Sequence, residues 1–154
     1  MERGTSRREF LAGAAAGLSL GAVITVMPAH ATPQEMQDAI RKVVGPARVT
    51  TGRVKLELPP LSENGNTVPL TVSIESPMTP ADHVRAIHIF TELNPQPEVV
   101  SFRFGPRAGH ARVSTRIRLA NTQTVTAIGE LSDGSYWSTT AAVVVTLAAC
   151  LEDA

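Results

Sequence analysis

Cysteine is almost absent from this chain: Cys150 is the only one among 154 residues. A single thiol excludes an internal disulfide framework. Aromatic residues are nearly as scarce, at 4%, so the core must be built from Val, Ile, Leu and Ala. Neither sign of charge is in excess, with 14 Lys+Arg against 14 Asp+Glu. There is no basic stripe, so nucleic acid is not an expected partner. Arg112, Arg116 and Arg118 come nearest to a patch. Their even spacing places them on one face of a strand, as a solvated sheet face or an anion-steering surface. A hydrolase elbow, a phosphate loop and a zinc signature are all missing. His83, His88 and His110, with Asp82, match no metal-ligand spacing, so no metal or cofactor is expected. Repeats, linkers and low-complexity tracts are missing too.

What is present begins with a processing segment. Ser6-Arg7-Arg8-Glu9-Phe10-Leu11 reads as a twin-arginine export motif, with Arg7 and Arg8 as its signal residues. An uncharged, Ala- and Gly-rich run follows from Leu11 to Met27, and Ala29-His30-Ala31 supplies a small-x-small cleavage site. The run sits at the lower limit for a membrane span and precedes a cleavage site. Residues 1–31 are therefore expected to be a cleaved signal, leaving an exported, periplasmic protein with no membrane anchor. In an oxidising compartment an unpaired thiol calls for a reason: burial, pairing between chains, or chemistry.

The remainder divides into a domain, 32–147, and a short arm, 148–154. One stretch reads as helix. Thr32 is placed as N-cap, Pro33 at the first helical position and Glu35 as the partner in a capping box. Met36, Ile40 and Val43 or Val44 recur at helical spacing until Gly45-Pro46, a stripe suited to packing over a sheet. Beyond it, apolar residues alternate in about seven short runs separated by turn signals. Val68, Leu70, Val72 and Ile74 make the cleanest of these, and Val113, Thr115, Ile117 and Leu119 another. Glu63-Asn64-Gly65-Asn66 reads as a turn, Asn94-Pro95-Gln96-Pro97 as a break, and Tyr136 to about Leu147 as the last strand. Tyr136 and Trp137 suit packing. The expected fold is all-β: an antiparallel sandwich of about seven strands with one short N-terminal helix.

Cys150 lies just past that last run. Three residues of extended chain reach about 10 Å, so the thiol is placed to enter another protein's pocket from a loose chain end. The opposing reading is a small buried hydrophobe at a strand end. A thiol enzyme acting alone would need a base near Cys150, and the tail offers only carboxylates.

Several runs resemble the SoxY family of sulfur-oxidation carrier proteins. They are Glu63 to Val72, Ser76-Pro77-Met78-Thr79, Ile87-His88-Ile89-Phe90 with Asn94-Pro95, Val113 to Ala120, and Ser132-Asp133-Gly134. Order and spacing agree from about Gln34 to Thr146. The resemblance implies an all-β immunoglobulin-like antiparallel sandwich, a periplasmic heterodimer with a SoxZ-type subunit, and a C-terminal cysteine carrying thiosulfate-derived sulfur. It also implies transient partners: a haem enzyme that conjugates thiosulfate to the thiol, a hydrolase that releases sulfate, and in some organisms a sulfane dehydrogenase. The chain itself is then a carrier and not an enzyme. The arm departs from the family's Gly-Gly-Cys-Gly-Gly. Here Ala148-Ala149-Cys150-Leu151-Glu152-Asp153-Ala154 stands instead, so only Cys150 carries over as a functional residue. Ala148, Ala149 and Leu151 are bulkier than glycine. Glu152, Asp153 and the terminal carboxylate are expected to raise the thiol pKa above its free value of about 8.5 and to repel a dianion. Slower loading or altered partner choice is expected, with a non-carrying structural or binding paralogue as the alternative.

Overall fold

The computed structural model describes residues 31–149. The export motif with Arg7 and Arg8, and Cys150 and Leu151, lie outside the described residues. Helix α1 spans Pro33–Val44 and begins as its sequence directs. The Glu35 amide donates to Thr32 Oγ1 at 3.3 Å, and the Thr32 amide donates to Glu35 Oε2 at 2.7 Å. Met36, Ile40 and Val44 form its buried stripe and pack on Phe90 and Ile128 of the sheet below, with Tyr136 at the margin.

Nine strands follow: β1 Val49–Thr51, β2 Val54–Glu57, β3 Leu61–Ser62, β4 Val68–Ile74, β5 Val84–Thr91, β6 Glu98–Arg103, β7 Ala111–Ile117, β8 Gln123–Leu131 and β9 Tyr136–Val145. Seven correspond to the alternating runs. The other two, β1 and β3, are three and two residues long, too short to show a period. Both pair parallel to β9, at its start and at its end, so the otherwise antiparallel fold has two parallel additions. One sheet has the order β1-β9-β8-β5-β6, with β3 also on β9, and the other has the order β2-β4-β7.

The main core lies between the sheets. Val68, Leu70, Val72 and Ile74 face Val84, Ile87, Ile89, Val125, Ala127 and Val143. β4 alternates because its outer face meets solvent. β5 is buried at almost every position, since the sheet takes one face and α1 covers much of the other. Strand directions bring β3, the β5–β6 loop, the β7–β8 loop and the end of β9 together at one end of the sandwich. The β8–β9 turn and the β4–β5 loop meet at the other.

Candidate functional site

The site is built around the exit of the C-terminal arm. β9 ends at Val145, and the described residues beyond it are tied back to the sandwich at Thr146, Leu147 and Ala149. The Val145 amide donates to Thr122 Oγ1 at 3.0 Å. The Thr146 amide donates to the Ser62 carbonyl at 3.1 Å, and the Thr146 hydroxyl to the Glu63 carbonyl at 3.3 Å. The Leu147 carbonyl accepts from the Gly65 amide at 2.7 Å, and the Ala149 amide donates to the Leu119 carbonyl at 3.0 Å. Ala148 is exposed and Ala149 half-buried. The anchored chain therefore extends to Ala149, one residue before Cys150. The expected tether of three free residues is shortened, because Gly65 and Leu119 hold the backbone on the way out.

Gly65 is the centre of this clamp. Its sequence context, Glu63-Asn64-Gly65-Asn66, reads as a turn with Asn-Gly at its centre. The turn is a 3₁₀ turn, Gly65–Thr67, capped by Asn64, whose Oδ1 accepts the Asn66 amide at 2.9 Å. Gly65 is needed for space and not for a left-handed backbone: a Cβ there would sit 2.5 Å from the Leu119 carbonyl oxygen and 2.7 Å from the Ala149 nitrogen. Its own carbonyl accepts from the Leu119 amide at 2.9 Å. Three segments far apart in sequence thus meet backbone to backbone.

The β7–β8 loop that supplies Leu119 is braced from below by two buried amides, Asn94 and Gln123. In the sequence, Asn94 reads as part of a chain break. The available signal was a polar residue next to Pro95 within a run resembling a family motif. Three of the resembling runs, Glu63 to Val72, Asn94-Pro95 and Val113 to Ala120, converge here. Ser76 to Thr79 and Ser132-Asp133-Gly134 meet at the opposite end, where Ser132 Oγ accepts the His83 amide at 3.1 Å and donates to the Ala81 carbonyl at 3.3 Å.

The surroundings of the exit are apolar with a basic margin. The exposed large hydrophobic side chains of the described residues, Leu61, Val144 and Leu147, all sit at this end. Leu61 and Val144 are cross-strand partners. Arg112, Arg116 and Arg118 are exposed along β7 and its extension, as their spacing required. Arg112 lies 3.5 Å from Glu57, while Arg116 and Arg118 make no ion pair among the described residues. The groups with displaced pKa values take no part in the clamp. Glu57 is held below its usual range by a hydrogen bond from Lys55 and its charge, and Asp133 by hydrogen bonds from Ser135.

The remaining candidates stay apart from the arm. His83 precedes β5 rather than lying in it, with Nδ1 3.0 Å from the Thr79 carbonyl. His88 is buried in β5, its Nδ1 2.6 Å from Ser101 Oγ, which donates to Glu98. Trp137 packs against the core and beneath Arg53, whose guanidinium is 5.4 Å from the ring. Among the described residues, no three His, Cys, Asp or Glu side chains are grouped as metal ligands.

Comparison with known proteins adds what geometry alone does not supply. The family model described as "Sulfur oxidation protein SoxY" matches residues 40–150, a span that includes Cys150. The sulfur carrier protein SoxY from Chlorobium limicola f thiosulfatophilum is similar in structure, with a TM-score of 0.63 and 30% identity over 74% of this chain and 98% of that one. A superoxide reductase (neelaredoxin) from Ignicoccus hospitalis has a TM-score of 0.55 at 20% identity, over 75% of this chain and 94% of its own. The superoxide reductase from Nanoarchaeum equitans has a TM-score of 0.51 at 13% identity, over 62% of this chain and all of its own. At those identities the reductases share the sandwich alone. No curated protein matches the chain.

Proposed function

Because this chain belongs to the SoxY family of sulfur-oxidation proteins, we propose that it is a periplasmic sulfur carrier, exported by the twin-arginine route, that holds thiosulfate-derived sulfur on Cys150. The observation that carries this reading is the placement of the lone cysteine. The family match includes it, and the backbone is clamped to the residue before it. A carrier needs a nucleophile that leaves a rigid body at a defined point and enters a partner's pocket, and it needs no catalytic group of its own.

The chemistry balances with partners of the kinds the family resemblance implies. Joining the Cys150 thiol to thiosulfate forms an S–S bond and releases one proton and two electrons, which a haem enzyme accepts. Water then cleaves the terminal sulfone as sulfate in a hydrolase and leaves a persulfide on Cys150. A sulfane dehydrogenase would oxidise the remaining sulfur. Exposed Arg116 and Arg118 near the arm root favour approach of an anion and oppose the repulsion from Glu152 and Asp153. The apolar surface of Leu61, Val144 and Leu147 suits a protein contact, with a SoxZ-like subunit as the expected stable partner.

A second reading is favoured by the arm itself. Ala148, Ala149 and Leu151 stand where the family has glycine, and a non-carrying structural subunit would tolerate that change. Intact mass decides between them. The full chain, incubated with its SoxZ-like partner, thiosulfate and the conjugating enzyme, is expected to gain one thiosulfate-derived adduct that Cys150→Ser lacks. Absence of the adduct on wild type, under conditions that load a glycine-armed relative, would leave the structural reading.

A further inference from the structure

Asn94 sits in the loop between β5 and β6, yet it is buried. A buried amide is costly unless its hydrogen bonds are made. Those of Asn94 are directed chiefly at one loop, with partners 24 and 26 residues away. Nδ2 donates to the Arg118 carbonyl at 2.8 Å, and Oδ1 accepts from the Ala120 amide at 3.0 Å.

These two groups belong to successive peptide units on either side of Leu119. The other halves of the same units are the Leu119 amide, which donates to the Gly65 carbonyl at 2.9 Å, and the Leu119 carbonyl, which accepts from the Ala149 amide at 3.0 Å. A trans peptide unit is planar, and its C=O and N–H point opposite ways, so holding one side orients the other. Asn94 grips the inner side of both units, and the clamp hangs from their outer sides. Polarisation along such a chain strengthens each bond. Gln123 decides which way round the amide lies: Nε2 donates to Asn94 Oδ1 at 3.0 Å while Oε1 accepts from the Leu93 amide at 2.8 Å.

We propose that Asn94 is the positioning residue of the arm: through the two peptide units flanking Leu119 it holds Ala149 in place and so sets the length of free chain ahead of Cys150. The assignment rests on reading that arm as the carrier's. With both units held, the anchor is Ala149. With them released it retreats to the bond between the Leu147 carbonyl and the Gly65 amide, which frees two more residues, or about 7 Å of reach. Tether length governs the effective concentration of a tethered group at its target.

Amide hydrogen exchange in the full-length chain tests this. Asn94→Ala is expected to speed exchange at Leu119 and Ala149 about tenfold or more, the loss of a net hydrogen bond or two. Val84→Ala, a fully buried position at the opposite end, supplies a control of comparable lowering in Tm that leaves those two amides unchanged. Asn94→Asp keeps the acceptor facing the Ala120 amide and loses the donor facing the Arg118 carbonyl. It is expected to expose the Leu119 amide while Ala149 stays slow. Equal exchange at Leu119 and Ala149 in Asn94→Ala and Val84→Ala overturns the assignment. An unloaded Cys150 in wild type, with the exchange pattern as expected, supports the positioning role and removes only the carrier reading.

Discussion

At the end of the sandwich that carries the β8–β9 turn, most bonds join near neighbours. The Asp133 carboxylate accepts the Ser135 amide at 2.8 Å, and Thr79 Oγ1 accepts the Asp82 amide at 3.1 Å. At the arm end the bonds join distant segments: Thr146 reaches the Glu63 carbonyl across 83 residues, and Gly65, Leu119 and Ala149 meet through backbone groups. A turn closed by its own side chains forms almost wherever it is placed. A clamp between distant strands exists only once both sheets are folded, after the loop-closure entropy has been met. The arm is therefore held by the part of the molecule most dependent on its global fold.

Gly65→Ala should produce the largest break in this contrast. Its Cβ would fall within 2.7 Å of two backbone atoms that cannot rotate away. A loss of about 1–3 kcal/mol in denaturant unfolding is expected, together with rapid exchange of the Ala149 amide. Gly134→Ala at the opposite end should cost less. Gly134 has φ +81° with open space where a Cβ would go, so only the left-handed backbone is penalised, at about 1 kcal/mol, and Ala149 exchange should be unaffected. A greater loss at Gly134 than at Gly65 would overturn the contrast.

Acid should produce the smallest effect, and only at the turn. Asp133 is held below its ordinary value of 3.8 by the Ser135 hydroxyl and amide. Its contribution is therefore full above that value and is lost as pH falls through the lower folded value. The side chain is almost fully solvated, so the effect on stability is slight. The measurement is by NMR: the Ser135 amide shift should titrate below pH 3.8, while the Ala149 and Leu119 amides, bonded only to backbone, should not follow it.

Much of the fold was legible because its determinants are local. The capping box at Thr32 and Glu35, the period of two in β4 and β7, and the Ser132 to Ser135 turn can each be seen within a window of ten residues or so. β1 and β3 could not be seen that way, since three and two residues hold no period and their pairing depends on the exposed edge of β9. Gly65 does lie in a turn, as its Asn-Gly context indicates, but the close approach of the Leu119 and Ala149 backbones that requires a glycine there leaves no local trace. Asn94 reads only as part of a breaker, because a side chain's partners 24 and 26 residues away leave no trace in its own neighbourhood.

From the amino-acid order alone came the sandwich class, the short helix, the family likeness and the choice of Cys150 as the one thiol. Each of these depends on residue type or on short-range spacing. The folded chain decided where the arm is let go, and which glycine and which buried amide hold it. Those are contacts between peptide groups, and every residue carries the same peptide group, so only three-dimensional proximity can select among them.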